Sequence, residues 1–269
     1  MQTYTHYLSV RPPYDHQWIF DFLKRRAVPP YETVEGLCYR RCLGGSDTIC
    51  VEWHDEGLRV QIPAGFEGEA DELLNKVRRM FDLDANSKAI DASLAKHKIL
   101  KPYMFAGGGL RVPGGWTGFE IGVRAILGQQ VSVARATKLV TALVEHYSDN
   151  GQFPGAEQVA LENPSHLGMP RKRGKAIQIL AHQVSEGSLK LDEGCDFGTL
   201  RQGLIEVPGI GPWTAEYIAM RAAKDPDAFP EKDWVVLKTL AMTPREAKNL
   251  AELWRPWRAY ALMYLWRGK

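Results

Sequence analysis

Leu204-Ile-Glu-Val-Pro-Gly-Ile-Gly-Pro-Trp-Thr-Ala215 decides how this chain reads. Apolar residues precede the Pro208-Gly209 pair, and Ala215, Ile218 and Ala219 follow at helical spacing. The string therefore predicts two helices joined by a tight turn. Pro208 fixes φ, and Gly209 and Gly211 are expected to take backbone conformations closed to other residues. Pro212 suits the first position of the second helix. A turn of this kind exposes backbone N–H groups beside a helix N-terminus, an anion site able to hold a DNA phosphate without a basic side chain. A plain turn between two core helices would use the same residues, so the string alone leaves both readings open.

From Ser87 to the end, helical stretches are separated by short Gly/Pro breaks at Ala106-Gly-Gly-Gly109, Pro113-Gly-Gly115, Gly168-Met-Pro170 and Pro208-Gly209. The glycines at 107–109 have no Lys-Ser/Thr after them, which argues for a turn and against a phosphate-binding P-loop. Thr243-Pro244-Arg245-Glu246 reads as a capping box with proline opening the helix. The first third is different. Thr48–Trp53 and Gly57–Pro63 alternate as the strands of a hairpin, between a helix at Trp18–Arg26 with Ile19, Phe22 and Leu23 on one face and another at Asp71–Phe81 carrying Leu73, Leu74, Val77, Met80 and Phe81. The expected organisation is a small α+β domain over residues 1–86 followed by a mainly α domain over 87–269.

At 269 residues, 45% hydrophobic and 25% charged, the chain can bury a substantial core. Its net charge of +2 means that affinity for a polyanion must come from local clustering and not from the field of the whole molecule. Cys38, Cys42, Cys50 and Cys195 show no CxxC spacing and read as reduced, partly buried thiols; the seven histidines form no metal-ligand pattern. No basic-then-apolar leader and no run of 18 or more apolar residues occurs, so a cytoplasmic protein without membrane contact is expected.

Four strings occur here in an order that resembles the bacterial 3-methyladenine DNA glycosylase II family of the helix-hairpin-helix superfamily. They are Val123-Arg-Ala-Ile-Leu-Gly-Gln-Gln-Val-Ser-Val-Ala-Arg-Ala136, the hairpin, Phe229-Pro-Glu-Lys-Asp233 and Trp254-Arg-Pro-Trp-Arg-Ala-Tyr-Ala261. The resemblance covers nearly the whole chain. It implies a TATA-binding-protein-like N-terminal domain and a helix-hairpin-helix glycosylase domain in two helical subdomains, about 113–224 and 87–112 plus 225–269, with the active site in the cleft between them. It implies that the backbone carbonyls of Ile205, Val207 and Ile210 hold a monovalent cation, Na+ or K+, bridging to a DNA phosphate. The partner it implies is double-stranded DNA containing a damaged base, bound by a monomer in the bacterial nucleoid.

Asp233 stands where the family keeps its essential carboxylate. Its residue type and place also suit the N-cap of a helix beginning at Trp234, and the two roles are compatible. A fixed anion beside C1′ is worth most when the sugar becomes cationic, and an alkylated purine leaves without a second acid, unlike ordinary glycoside hydrolysis. Trp213 and Tyr217 share a helix face at i and i+4, either as core aromatics or as π-faces for a cationic base; the resemblance adds Trp266 as a pocket wall, and Trp234 is grouped with them. Bifunctional relatives carry a lysine where this chain has Trp213, so the resemblance implies a monofunctional enzyme, with Lys232 and Lys238 the nearest substitutes in sequence. The iron-sulfur cluster of some relatives has no counterpart, since Cys195 is the only cysteine after residue 50.

Gln130 aligns with the wedge that fills the gap left by a flipped base, a leucine in the best-known form of the family; an exposed glutamine at a helix end is the other reading. Pro208, Gly209, Gly211 and Thr214 are the hairpin's candidate DNA contacts. Arg171, Lys172, Arg173 and Lys175 crowd the first turn of a helix after Pro170, where the dipole disfavours cations, so a phosphate or simply solvent faces them. Arg245, Lys248, Arg255, Arg258, Arg267 and Lys269 against Glu246 and Glu252 suggest a locally basic cleft. The sequence also admits an 8-oxoguanine-type glycosylase, a non-catalytic hairpin DNA-binding protein, or a structural scaffold.

Overall fold

The computed structural model describes residues 2–192 and 194–268. Five antiparallel strands, β1 (Thr3–Ser9), β2 (Glu32–Glu35), β3 (Cys38–Gly44), β4 (Asp47–His54) and β5 (Gly57–Pro63), form one sheet in the order β1-β5-β4-β3-β2. The expected hairpin is β4–β5, in a register that pairs Val51 with Val60 and Trp53 with Leu58. Edge strand β1 alternates between exposed and half-buried residues and never buries one, and β2 has only four residues; neither carries a strong apolar period.

Two helices, α1 (His16–Lys24) and α2 (Ala70–Phe81), cover one face of the sheet. Asp15 caps α1 by accepting the Trp18 N–H at 3.0 Å. Ile19, Phe20 and Leu23 of α1 meet Tyr39, Ile49, Val51, Val60 and Ile62 of the sheet and Leu73, Val77, Met80 and Phe81 of α2. Trp18 and Phe22 belong instead to the core of the helical part. The expected grouping of Phe22 with Ile19 and Leu23 is thereby corrected: at 100° per residue Phe22 lies one turn above Trp18, and that stripe faces a second body.

The rest of the chain is helical: α3 (Ser87–Leu94), α4 (Gly118–Leu127), α5 (Val133–Tyr147), α6 (Ala156–Ala160), α7 (Arg171–Ser185), α8 (Phe197–Glu206), α9 (Pro212–Arg221), α10 (Trp234–Leu240), α11 (Pro244–Ala251) and α12 (Arg258–Arg267). The capping box at Thr243 and Glu246 forms as expected, with Pro244 in the first turn of α11. No helix among the described residues is long and apolar enough to cross a membrane.

Buried polar groups lock the sheet onto the helices. Arg41 of β3 meets Glu120 of α4 at 2.7 Å, and Arg124 bonds Glu120 at 2.9 Å and also Glu32 of β2. Burial pushes the Glu120 carboxyl up, but Arg41 and Arg124 outweigh it and hold it at about 2. Arg111 is fully buried and donates to the carbonyls of Asp82 at 2.7 Å, Ala85 at 2.9 Å and Pro13 at 3.1 Å. These contacts fix α1 relative to the helical part, which the site requires.

Candidate active site

The predicted hairpin is formed by α8, the turn at 207–211 and α9. Ile210 N–H closes the turn on the Val207 carbonyl at 3.0 Å. Gly209 has φ of +102°, where an L side chain is strained, and a Cβ there would also meet the Ala176 methyl at 3.2 Å. Gly211 differs from expectation: its φ of −95° and ψ of 174° are ordinary extended backbone, and an added Cβ would meet nothing within 4 Å. The fold itself therefore does not demand glycine at 211.

Neighbouring side chains brace the turn. Gln129 Nε2 donates to the Gly209 carbonyl and to Thr214 Oγ1, both at 3.0 Å, and Arg173 Nη2 donates to the Gln129 carbonyl at 2.7 Å. Thr214 is buried and its hydroxyl is engaged inside the fold by Gln129, which leaves its backbone N–H, in the first turn of α9, as the group that can face DNA. Arg173 likewise braces the loop. Lys175 Nζ bonds Gln178 Oε1 at 3.1 Å, beside a depression lined by Ala160 and His182. Arg171 and Lys172 are exposed in the first turn of α7. Gln130 is exposed and holds φ of +54°, a left-handed conformation uncommon for a residue other than glycine.

Asp233 is the N-cap of α10, as its residue type suggests, and it does more than cap. Oδ1 accepts Val235 N–H at 3.0 Å, Val236 N–H at 3.1 Å and the Trp266 indole Nε1–H at 3.1 Å. Oδ2 accepts the Trp213 indole Nε1–H at 3.0 Å. A carboxylate has about two acceptor sites per oxygen, so Oδ1 is saturated and Oδ2 retains capacity. The side chain is only 5% exposed, with its orientation over-determined by four donors. The segment leading to it is held by Arg201, which bonds Glu216 at 2.7 Å and Asp225 at 2.5 Å while Glu216 accepts the Phe229 N–H at 3.0 Å.

Asp233 lines a cleft of about 720 Å³ together with Trp213, Tyr217 and Trp266. Tyr217 stacks on Trp213 at 5.2 Å between centroids with 20° between planes, and Trp266 lies 6.3 Å from Tyr217 at 35°. The Tyr217 hydroxyl accepts from Arg221 Nη1 at 2.8 Å; burial raises its pKa, but Arg221 and Arg26 outweigh this and bring it below its ordinary value. The opposite wall was not anticipated. It comes from α1 of the sheet unit and the turn that follows it: Trp18, Asp21 and Phe22, then Arg25 and Arg26. Their spacing, two stripes offset by one residue and repeating every four, was the signal available for a second buried face.

Two expectations are corrected here. Trp234 is 66% exposed and does not line the cleft, because as the first residue of α10 it points away from the face on which its neighbour Asp233 is bonded; Lys238 Nζ sits 4.8 Å from its ring centroid. Of the C-terminal cations expected at the cleft, Lys248, Arg255 and Arg258 lie elsewhere, paired with Glu231, Glu252 and Asp227, whereas Arg267 lines the cleft beside Arg25, Arg26, Arg124 and Arg221 while pairing with Asp15. Lys269 lies outside the described residues.

A buried, four-donor carboxylate beside three aromatic faces, next to a helix-hairpin-helix turn, is the chemistry of stabilising a nearby cation. The chain is 37% identical to DNA-3-methyladenine glycosylase 2 of Escherichia coli over 275 residues, covering 96% of this chain and 95% of that protein. This chain belongs to the DNA-3-methyladenine glycosylase 2 family. The AlkA N-terminal domain family model matches residues 5–117, which takes in the sheet except the first two residues of β1, and the Bacillus subtilis DNA-3-methyladenine glycosylase is 30% identical over 73% of this chain and 72% of its own length. The fold is shared with the 3-methyladenine DNA-glycosylase from Archaeoglobus fulgidus, at TM-score 0.78, 21% identity and 97% coverage of both chains. It is shared equally with the Clostridium acetobutylicum 8-oxoguanine glycosylase/lyase, at TM-score 0.75, 17% identity and coverage of 94% of this chain and 92% of that one. The fold alone thus spans two base specificities, and the site residues must separate them.

Proposed function

We propose that the protein carries out base excision repair of alkylated DNA, hydrolysing the N-glycosidic bond of a base turned out of the duplex into the cleft and leaving an abasic site. The observation that carries this reading is Asp233, a single carboxylate held by Trp213, Trp266 and two backbone amides in an aromatic cleft, with acceptor capacity left on Oδ2. As the C1′–N bond lengthens, its electron pair leaves with the base and positive charge grows on the sugar. A pre-oriented carboxylate stabilises that charge without reorganising at the moment of reaction. Water then adds to C1′, and Oδ2 takes its proton.

An alkylated purine departs as a neutral molecule because it already carries the positive charge, so no second acid is required. The faces of Trp213, Tyr217 and Trp266 favour such a cation by about 0.5–2 kcal/mol per contact. Monofunctional chemistry follows from Trp213 at the position of the lyase lysine. Lys238 leans on the exposed Trp234 ring, and borohydride should trap no covalent adduct with DNA.

The backbone N–H groups of Gly209 and Gly211 in the turn and those at the start of α9 would hold a phosphate, with Gln130 entering the gap in the stack. The carbonyls of Ile205, in the last turn of α8, and of Val207 and Ile210 beyond it form an oxygen-only donor set of a kind that suits Na+ or K+; Val207 spends one lone pair on Ile210 N–H and keeps another. Such an ion would supply positive charge beside a bound phosphate. Catalysis itself needs no cofactor, and the protein acts on double-stranded DNA as a monomer.

Mass spectrometry of bases freed from methylated DNA tests the reading. Wild-type protein should release 3-methyladenine, and Asp233→Asn should slow release on the order of a hundredfold or more, the equivalent of about 3 kcal/mol. Full turnover by the Asn variant, or wild-type protein that binds DNA and frees no base, would overturn it; preferential release of 8-oxoguanine would favour the other specificity that shares this fold.

A further inference from the structure

The outer face of the sheet carries a pair of thiols that the repair chemistry does not use. Cys38 of β3 and Cys50 of β4 lie diagonally across neighbouring strands, since Cys38 pairs with Glu52 and Arg40 with Cys50. All four point to the same side because side chains alternate along a strand, and the intervening Tyr39 and Val51 fill the core. The two sulfurs are 3.1 Å apart, inside ordinary van der Waals separation, and both residues are half-buried and within reach of a small reagent. We propose that Cys38 and Cys50 are a thiol–disulfide exchange site that takes a low-molecular-weight disulfide of the glutathione class and closes to an intramolecular cross-strand bond.

The roles of the two sulfurs differ. Either sulfur can donate across the contact; with Cys38 as the donor, and with Arg40, the direct cross-strand partner of Cys50, and Arg59 working against burial, the Cys50 thiol falls to about 7, so a large share is thiolate near neutrality. The same hydrogen bond, together with burial, raises Cys38, which keeps its proton. Cys50 is accordingly the attacking sulfur. Its thiolate adds to one sulfur of the disulfide, the S–S bond breaks, and one thiolate leaves to take up a proton. Cys38 then loses its proton, attacks the Cys50 sulfur of the mixed disulfide, and expels the second thiol. The sum is one disulfide reduced to two thiols and one dithiol oxidised to Cys38–Cys50, with two electrons transferred. The new bond would tie β3 to β4 around the turn that contacts residues 150–152 through Gly45 N–H to the Asn150 carbonyl.

The full chain is incubated with glutathione disulfide at neutral pH, free thiols are capped, and intact mass and peptide maps are read. Wild-type protein should lose two of its four cappable thiols and about 2 Da, with the bond mapped between residues 38 and 50. Cys38→Ser keeps a hydrogen-bond donor beside Cys50 but removes the resolving sulfur, so it should stop as a stable adduct of one glutathione on Cys50. Cys42→Ser should behave as wild type. Four cappable thiols after incubation, a wild-type adduct as persistent as that of Cys38→Ser, or a bond mapped to Cys42 would each overturn the assignment. None of these outcomes depends on whether the protein releases alkylated bases.

Discussion

Gly211→Ala separates what the hairpin needs for folding from what it needs for DNA. The residue occupies the N-cap of α9 in extended conformation, and its missing Cβ would meet no protein atom within 4 Å. Two small effects on the free protein oppose one another: replacing a tolerated N-cap glycine by alanine costs about 0.5–1 kcal/mol, and restricting the unfolded chain returns about 0.4–1 kcal/mol. The unfolding midpoint should consequently move by no more than a degree or two. Bound to DNA the situation changes, because a phosphate seated on the N–H groups at the start of α9 would share the space into which that methyl projects. Displacing it by a fraction of an ångström weakens charge-assisted hydrogen bonds that contribute about 1.5–3 kcal/mol each, so losing most of one lowers affinity roughly tenfold or more. Gly209→Ala is the contrast, for φ of +102° and the Ala176 methyl make it destabilising before DNA is present. The assays are thermal unfolding and fluorescence anisotropy with an abasic-analogue duplex. A Gly211→Ala variant that melts and binds like wild type would refute phosphate contact at this turn.

Other substitutions probe the remaining parts of the argument. Trp213→Phe keeps an aromatic face but removes the indole donor to Asp233 Oδ2, and single-turnover base release should fall about tenfold with little change in DNA affinity; an equal loss in both would assign Trp213 to binding alone. Glu120→Gln leaves Arg41 and Arg124 short of a buried partner and should cost about 3–5 kcal/mol in urea unfolding. Because the folded-state pKa of Glu120 is held at about 2, below its ordinary 4.5, its contribution is complete above pH 4.5 and lost as pH falls toward 2; the variant should show a flatter stability profile in that window, and an unchanged acid limb would count against the network. Replacing Arg171 and Lys172 together by Gln should reduce the slope of log affinity against log salt by roughly 1.8, whereas Lys175→Gln, whose amine is turned to Gln178, should leave it unchanged.

The hairpin, the N-cap at Asp233 and the shared face of Trp213 and Tyr217 could be read from the sequence because each rests on a local rule, whereas their functional roles came from the family resemblance. What escaped depends on contacts between distant segments. Trp18 and Phe22 line the cleft because Arg111 and the Arg41–Glu120–Arg124 cluster place α1 against the helical part, a relation that no window of sequence contains. Position in the hairpin and in the first turn of α7 points Thr214 and Arg173 toward DNA, but Gln129, from a third segment, is the group both side chains bond. Trp234 was misplaced for a simpler reason. Adjacent residues at a helix start point in different directions, so the neighbour of a pocket residue is usually outside the pocket.

The two bodies of the molecule divide the work unequally but not independently. The helical part carries the carboxylate and three aromatic faces, yet the cleft is closed on its other side by a helix whose remaining apolar face is buried in the sheet unit. Shifting α1 would therefore have to break either its packing on β3, β4 and β5 or the buried ion cluster that joins β2 and β3 to α4, and the second break would strand charge in the interior. A rigid far wall has a consequence for selectivity. A base entering the cleft would meet Trp18 and Phe22 at positions set by the sheet and not by a loop, so the range of lesions admitted would depend on residues that never touch the scissile bond. Substitutions at Trp18 or Phe22 should alter which bases leave while preserving the dependence of every one of them on Asp233.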